Sequence, residues 1–214
     1  MPPKARFKRE DIINTAYDIA RESGIEAVTA QEISKRIKAS VSPIFTQFNT
    51  IEEIREEVKE KAWTSFSEYL KKADEYNPTF KMRGIQMIKF AQDEPKLFRL
   101  LFMSEEKPSD FNHLMPERIH GFEEDISLIQ KEYGVDTETA RHIFDSIWIY
   151  AYGICSLCAM KVCSFTQSEI SSLLGEMFAG TLYVAKLENK EFCNYIPAQK
   201  GTPEGDKLKG FLPF

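Results

Sequence analysis

The sequence predicts an all-α protein, with a small N-terminal helical domain followed by a larger helical body. Apolar residues recur at spacings of three and four through most of the 214 residues, which indicates amphipathic helices. Capping patterns, glycines and prolines mark successive helix ends. No segment alternates apolar and polar residues convincingly, as a half-buried strand would.

The first predicted helix covers residues 8–23 and ends at Gly24, a residue typical of helix C-termini. Its apolar residues fall on one face: Ile12, Ile13, Ala16, Ile19 and Ala20. A second helix is predicted over residues 29–37. Thr29 and Glu32 have the spacing of a capping box, in which each side chain accepts a hydrogen bond from the other residue's amide.

A tight turn, Lys38-Ala39-Ser40, separates this helix from a third one that contains Ile44, Phe45 and Phe48. Ser40 or Ser42 can cap the third helix. Pro43 is tolerated only in its first turn, and the avoidance of helical backbone before proline favours the later start. Two helices joined by such a turn form a helix-turn-helix, whose second helix can enter a DNA major groove.

The remaining helices are predicted over residues 51–75, 79–93, 94–103, 116–133, about 137–162 and 167–188. Asp136 or Thr137 can cap the first of the last two, and Thr166 with Glu169 forms a capping box for the second. We divide the chain into a helix-turn-helix domain (1–50), a larger helical domain (51–189), to which the resemblance described below assigns effector binding and dimerisation, and an extended tail (190–214).

Charge is distributed unevenly along the chain. Residues 1–50 contain eight Lys and Arg against six Asp and Glu, whereas the whole chain has a net charge of −5. This asymmetry fits a DNA-facing end on an acidic body, although a basic N-terminus can also serve only solvation. No run is long enough to span a membrane and no signal region follows Met1, so we expect a cytoplasmic protein without membrane partners.

The pattern over residues 8–56 resembles the DNA-binding domain of the TetR family of transcriptional regulators. The matching residues are Thr29, Ile33-Ser34, Lys38-Ala39-Ser40, Ile44-Phe45, Gln47-Phe48 and the run 49–54. The resemblance implies binding to double-stranded DNA. Val41, Ser42 and Pro43 would face the base edges and offer them only a small surface. The candidate DNA-binding residues are Arg6, Lys8, Thr29, Gln31, Lys38, Ser40, Val41, Ser42, Pro43, Phe45, Thr46 and Gln47.

Four positions depart from the family's pattern. Lys38 replaces a turn glycine, where a left-handed lysine costs on the order of 1 kcal/mol. Phe45 replaces a tyrosine, Gln47 a histidine and Ile51 a lysine. Fewer phosphate contacts are expected, and with them weaker or differently placed DNA binding.

The aromatic residues of the body suggest an effector pocket as well as a core. Trp148, Tyr152 and Cys155 are spaced four and three apart and share one face of a predicted helix. Cavities between helices are common ligand sites. The candidate ligand-binding residues are Phe98, Phe102, Phe122, Trp148, Tyr152 and Cys155, and the expected effector is a small apolar or aromatic compound.

Cysteines and histidines give no support for an enzyme, a metal site or a cofactor. Cys155 and Cys158 form a single C-x-x-C pair inside a helix, whereas zinc sites use four ligands. We expect these thiols to pack as small apolar groups, with thiol-based sensing as the alternative. His113, His120 and His142 lack metal-ligand spacing.

The family resemblance implies a homodimer formed through the last two helices, which would present two recognition helices to a palindromic operator. We therefore expect a repressor that releases its operator when effector binds. Two alternatives remain: a helical dimeric interaction module without sequence-specific DNA binding, and a redox-sensing regulator.

Overall fold

The structure, a computed structural model, describes residues 8–103 and 122–187. These residues are helical with no β-strand among them, which confirms the all-α prediction. The helices are α1 (Arg9–Ser23), α2 (Ala30–Arg36), α3 (Ser42–Phe45), α4 (Ile51–Lys71), α5 (Thr79–Asp93), α6 (Pro95–Phe102), α7 (Phe122–Tyr133), α8 (Thr137–Ala159) and α9 (Gln167–Ala185). Short 3-10 segments, Ile25–Ala27 and Lys72–Glu75, follow α1 and α4.

Helix ends follow the local sequence signals closely. Gly24 ends α1 with a φ of 93°, a conformation that favours glycine. The Asp136 carboxylate accepts a hydrogen bond from the Thr139 amide at 2.8 Å and so caps α8. Thr166 and Glu169 form the reciprocal capping box at the start of α9, with N–O distances of 2.7 and 3.3 Å.

The capping box predicted at Thr29 and Glu32 is only half formed. The Thr29 hydroxyl accepts from the Glu32 amide at 3.2 Å, as predicted. The Glu32 carboxylate turns instead towards Arg36, whose Nε lies 3.2 Å away. Glu32 makes this contact because Arg36, one turn further along the helix, offers a charged donor to its carboxylate.

Neither Ser40 nor Ser42 caps α3, although the helix begins at Ser42, the later of the two predicted starts. Val41 precedes the helix with helical dihedrals of −68° and −23°, whereas side-chain capping requires extended backbone. Ser42 is therefore the first helical residue, although it lies directly before Pro43. The short α3 holds this conformation because Ile44 is completely buried beneath it.

The N-terminal helices share a continuous core with the body. Val28, Ile33, Ile44 and Phe48 are buried in one cluster with residues of α1, α4, α5, α6, α8 and α9. A second cluster joins α5, α7 and α8 through Phe80, Ile126, Ile129, Ala140, Ile143, Phe144 and Ile147. The division at residue 50 stays a prediction, since packing runs across it.

An ionic cluster also ties α5 to α7. The half-buried Arg83 donates to Asp125 through Nη1 at 2.7 Å, and its Nη2 lies 3.2 Å from Asp74 and 3.4 Å from Glu124. Burial raises the pKa of the Asp125 carboxyl to about 6 in spite of the facing guanidinium.

Candidate nucleic-acid interface and apolar cavity

The turn between α2 and α3 has the geometry that the sequence pattern requires. Lys38 lies in the left-handed region with a φ of 53°, as predicted for the glycine it replaces. The Ala39 amide donates to the Ser34 carbonyl at 3.0 Å and closes the end of α2. Ile33 on α2 and Ile44 on α3 are both fully buried, so the packing of their inner faces fixes the two helices.

Most candidate DNA-binding residues lie on the surface. Lys8, Thr29, Gln31, Lys38, Ser40, Ser42, Phe45 and Thr46 are exposed, and Val41, Pro43 and Gln47 are partly buried. Phe45 exposes 48% of its surface, which is unusual for a phenylalanine in a well-packed domain. Arg6 lies outside the described residues.

Arg9 holds α3 in position through three elements at once. Its Nη1 donates to the Gln47 carbonyl at 2.6 Å, and its guanidinium lies 3.9 Å from the centre of the Phe48 ring. Its Nη2 pairs with Glu53 at 2.9 Å and with Glu57, both on α4. The segment after α3 is thereby connected to α1 and α4.

Ion pairs reduce the number of basic groups available to DNA. Arg9 pairs with α4, Arg21 pairs with Glu94, and Arg36 pairs with Glu22 at 2.7 Å. Lys8 and Lys38 remain exposed, as does Lys35, whose 81% exposed side chain lies 3.9 Å from the Glu32 carboxylate. The sequence count of eight basic residues thus overstates the positive surface.

A cavity of about 90 Å³ lies among α5, α8 and α9, next to the end of α7. Its lining is mostly apolar and includes Trp148, which the sequence predicted. The other lining residues are Pro78, Phe80, Lys81, Gly84, Tyr133, Ile147, Ala151, Leu174, Gly175 and Phe178. The available sequence signal for them was the occurrence of glycines inside two helices, Gly84 and Gly175.

Of the other candidate ligand-binding residues, Phe98, Phe102 and Tyr152 do not line this cavity but form an aromatic chain with Trp148. Trp148 stacks on Tyr152 with ring centres 5.3 Å apart, and Tyr152 lies 6.0 Å from Phe98. Phe98 stacks on Phe102 at 4.8 Å, and the Tyr152 hydroxyl donates to the Phe102 carbonyl at 2.8 Å. Cys155 is fully buried in the core, and the Phe122 side chain lies outside the described residues.

Cys155 and Cys158 are buried, whereas Cys163 is exposed. Burial raises the pKa of the Cys155 thiol well above its usual value and is the main cause of the raised pKa of Cys158. A protonated thiol is a poor nucleophile and a poor metal ligand. Both cysteines therefore have the environment of packing residues.

We expect Cys155→Ala to lower the free energy of unfolding by roughly 1–2 kcal/mol through lost packing, without abolishing DNA binding. Cys158→Ala should act similarly, and the exposed Cys163→Ala, the matched control, should change stability little. Urea denaturation measures all three. Stoichiometric zinc in the purified protein, or release from DNA on mild oxidation that thiol reverses, would contradict a structural role.

An exposed apolar face extends along α8 and α9. Ile149 and Leu157 on α8 and Met160, the residue after it, are between 39% and 58% exposed, and Tyr183 is 64% exposed on α9. Gly153 and Gly180 belong to the same faces, and a Cβ built at either one meets no atom within 4 Å. Glycine is unfavourable inside a helix, so nothing in the described protomer explains these two.

No protein-family model matches this chain, and no curated protein matches it. The resemblance to the TetR family therefore depends on the residues quoted above. In the described ranges, no helix is long and apolar enough to cross a membrane. Over the same residues, His, Cys, Asp and Glu side chains form no group of three that could hold a metal ion.

Proposed function

We propose that this protein is a cytoplasmic, homodimeric regulator of transcription that binds a palindromic operator and releases it when a small effector binds. The observation that supports DNA binding is the α2–α3 unit. Its inner residues are fully buried, its turn takes the left-handed conformation at Lys38, and its outer surface exposes Phe45 and short polar side chains. Such a unit can present α3 to a major groove.

The side chains in and next to α3 favour recognition of DNA through apolar contacts and the shape of the groove. Val41, Pro43 and Phe45 offer apolar contacts, which suit thymine methyl groups and the shape of the groove. Ser42 and Thr46 add hydroxyl groups. Lys8, Lys35 and Lys38 are the exposed cations nearest in sequence, and they would meet phosphates.

The exposed face of α8 and α9 supports a homodimer. Scattered apolar residues are common on surfaces, but here they share helix faces with Gly153 and Gly180, where nothing in the protomer occupies the space of a side chain. Small residues allow two helices to approach closely. Pairing this face with its own copy would form a symmetric interface and set the spacing of two α3 helices.

A chain of aromatic contacts runs from the cavity to α4, and a separate ion pair joins the start of α6 to α1. The aromatic chain from Trp148 through Phe98 and Phe102 reaches Trp63 on α4, 5.2 Å from the Phe102 ring. On α1, Arg21 Nε donates to the Glu94 carboxylate at the start of α6 at 2.8 Å. An effector would release DNA only if it binds more tightly to a conformation in which the α3 helices are wrongly spaced.

Lys38→Ala should reduce the salt dependence of DNA binding by about one counterion while leaving sequence preference unchanged, because a phosphate contact is lost. Lys38→Gly should have the same effect on DNA and also stabilise the fold by roughly 1 kcal/mol, since glycine relieves the left-handed strain. Lys131→Ala, an exposed lysine on α7, is the control. An unchanged slope in both Lys38 variants would show that this residue does not meet a phosphate.

The interaction-module alternative makes a different prediction. Selection of bound sequences from random duplex DNA should yield a palindrome if the regulator proposal is correct. Substituting Ser42 or Gln47 should then change the selected sequence. If no duplex outcompetes random DNA at moderate salt, the protein is an interaction module.

A further inference from the structure

The cavity contains one charged group among its described lining residues, the ammonium of Lys81 on α5. Apart from the Tyr133 side chain, the rest of the lining is apolar or glycine. Within residues 8–103 and 122–187, Lys81 has neither an ion pair nor a hydrogen bond. This partly exposed cation has no counter-ion among these residues, so its charge is available to a bound anion.

The chain leaves space for this ammonium at a cost to helix α9. Gly175 lies inside α9, where glycine is less favourable than alanine. A Cβ at Gly175 would lie 3.2 Å from Lys81 Nζ, closer than an ordinary contact. In the same contact between α5 and α9, a Cβ at Gly84 on α5 would lie 3.1 Å from the Leu174 side chain on α9. The glycines thus allow α5 and α9 to approach closely around the lysine.

Lys81 also borders a second, open depression on the surface. The depression shares Lys81 and Gly175 with the cavity and is otherwise lined by polar residues: Gln167, Ser168, Ser171, Ser172 and Glu176. The Glu176 carboxylate accepts a hydrogen bond from the Ser172 hydroxyl at 2.9 Å. The ammonium therefore lies where an apolar space meets a polar surface that contains serine hydroxyl groups and one carboxylate.

We propose that the cavity binds a compact carboxylic acid, with its apolar part against Trp148, Phe80 and Phe178 and its carboxylate on Lys81 at the mouth. The polar depression would keep the head group in contact with water and with serine hydroxyls. This inference rests on the proposed function in treating the ligand as the effector. It replaces the general expectation of an apolar or aromatic compound with a defined chemical class.

The size of the cavity restricts the apolar part. About 90 Å³ is less than the roughly 150 Å³ of a cavity that holds benzene. A short alkyl chain therefore fits better than a ring system. Pentanoate, pentan-1-ol and pentylamine form a matched set of probes, because they share chain length and differ in the charge of the head group.

The test measures binding of the three probes to the full-length protein without DNA, by ligand-observed NMR titration. Pentanoate should bind at least tenfold more tightly than pentan-1-ol, and pentylamine should bind most weakly. Lys81→Met keeps the length of the side chain but removes its charge, so it should abolish the preference for pentanoate. Lys89→Met, an exposed lysine on the same helix, is the control and should leave it intact.

Gly175→Ala provides a second variant that tests geometry rather than charge. The added methyl group should crowd Lys81 Nζ and weaken pentanoate binding several-fold, with the preference for a carboxylate retained. Circular dichroism and melting temperature establish that each variant is folded. Equal binding of pentanoate and pentan-1-ol, an unaltered preference in Lys81→Met, or no binding of any probe would overturn the proposal.

The outcomes also separate this inference from the proposed function. If wild-type protein binds pentanoate but selects no duplex, the carboxylate site stands and the regulator proposal fails. If it selects a duplex but shows no preference for pentanoate, the regulator proposal stands and the carboxylate site fails. Binding of pentanoate and binding of the duplex should be coupled. Each ligand should weaken binding of the other by the same factor.

Discussion

Replacing Gly153 with arginine is expected to convert the proposed dimer to monomers without unfolding the chain. A side chain at this position meets nothing within 4 Å in the protomer, and arginine is a better helix former than glycine. Across a symmetric interface, the same substitution places two bulky charges opposite each other. Because a monomer holds only one half-site, affinity for the selected duplex should fall roughly 10²-fold or more.

Light scattering after size-exclusion chromatography measures the mass, and duplex titration measures the affinity. Ser127→Arg, at an exposed position on α7, adds the same charge away from the face of α8 and α9 and should remain dimeric. A Gly153→Arg protein that is still a dimer and binds duplex normally would place the dimer contact elsewhere. A lower melting temperature of the monomer is expected, since dissociation removes the stabilisation that association provides.

Phe98→Ala is expected to lower the free energy of unfolding by roughly 3–5 kcal/mol, a large fraction of the 5–15 kcal/mol typical of a domain. Phe98 is completely buried in α6, stacks on Phe102 and contacts Tyr152. Truncation removes these contacts and leaves a void in the middle of the aromatic chain. Urea denaturation should show a lower midpoint with little change in slope.

Phe45→Ala is the matched control for Phe98→Ala, because it removes the same atoms from the exposed surface of α3. It should change stability by about 0.5 kcal/mol or less yet weaken duplex binding. The two variants thus separate a packing residue from a candidate DNA contact. A loss below about 1 kcal/mol in Phe98→Ala would mean that the surrounding rings close the void.

Local sequence signals were sufficient wherever a helix end depends on a few neighbouring atoms. Gly24, Asp136 and the Thr166–Glu169 pair act through contacts within one helical turn, so their roles could be predicted from spacing alone. The left-handed Lys38 was also predictable, since it occupies the place of a turn glycine. The start of α3 at Ser42 was predicted correctly, whereas the capping role of Ser40 or Ser42 was wrong, because Val41 before the helix already has helical dihedrals and the burial of Ile44, a tertiary contact, holds this arrangement.

The sequence by itself determined the helical class and most helix ends, because each depends on residues close in the chain. Only the tertiary structure decided which groups meet across helices. It pairs Arg9, Arg21 and Arg36 with acids, reducing the positive surface, and it forms the cavity from α5, α8 and α9. Lys81 and Gly175 are 94 positions apart in the sequence, and their proximity results from close packing of α5 on α9, which no local pattern encodes.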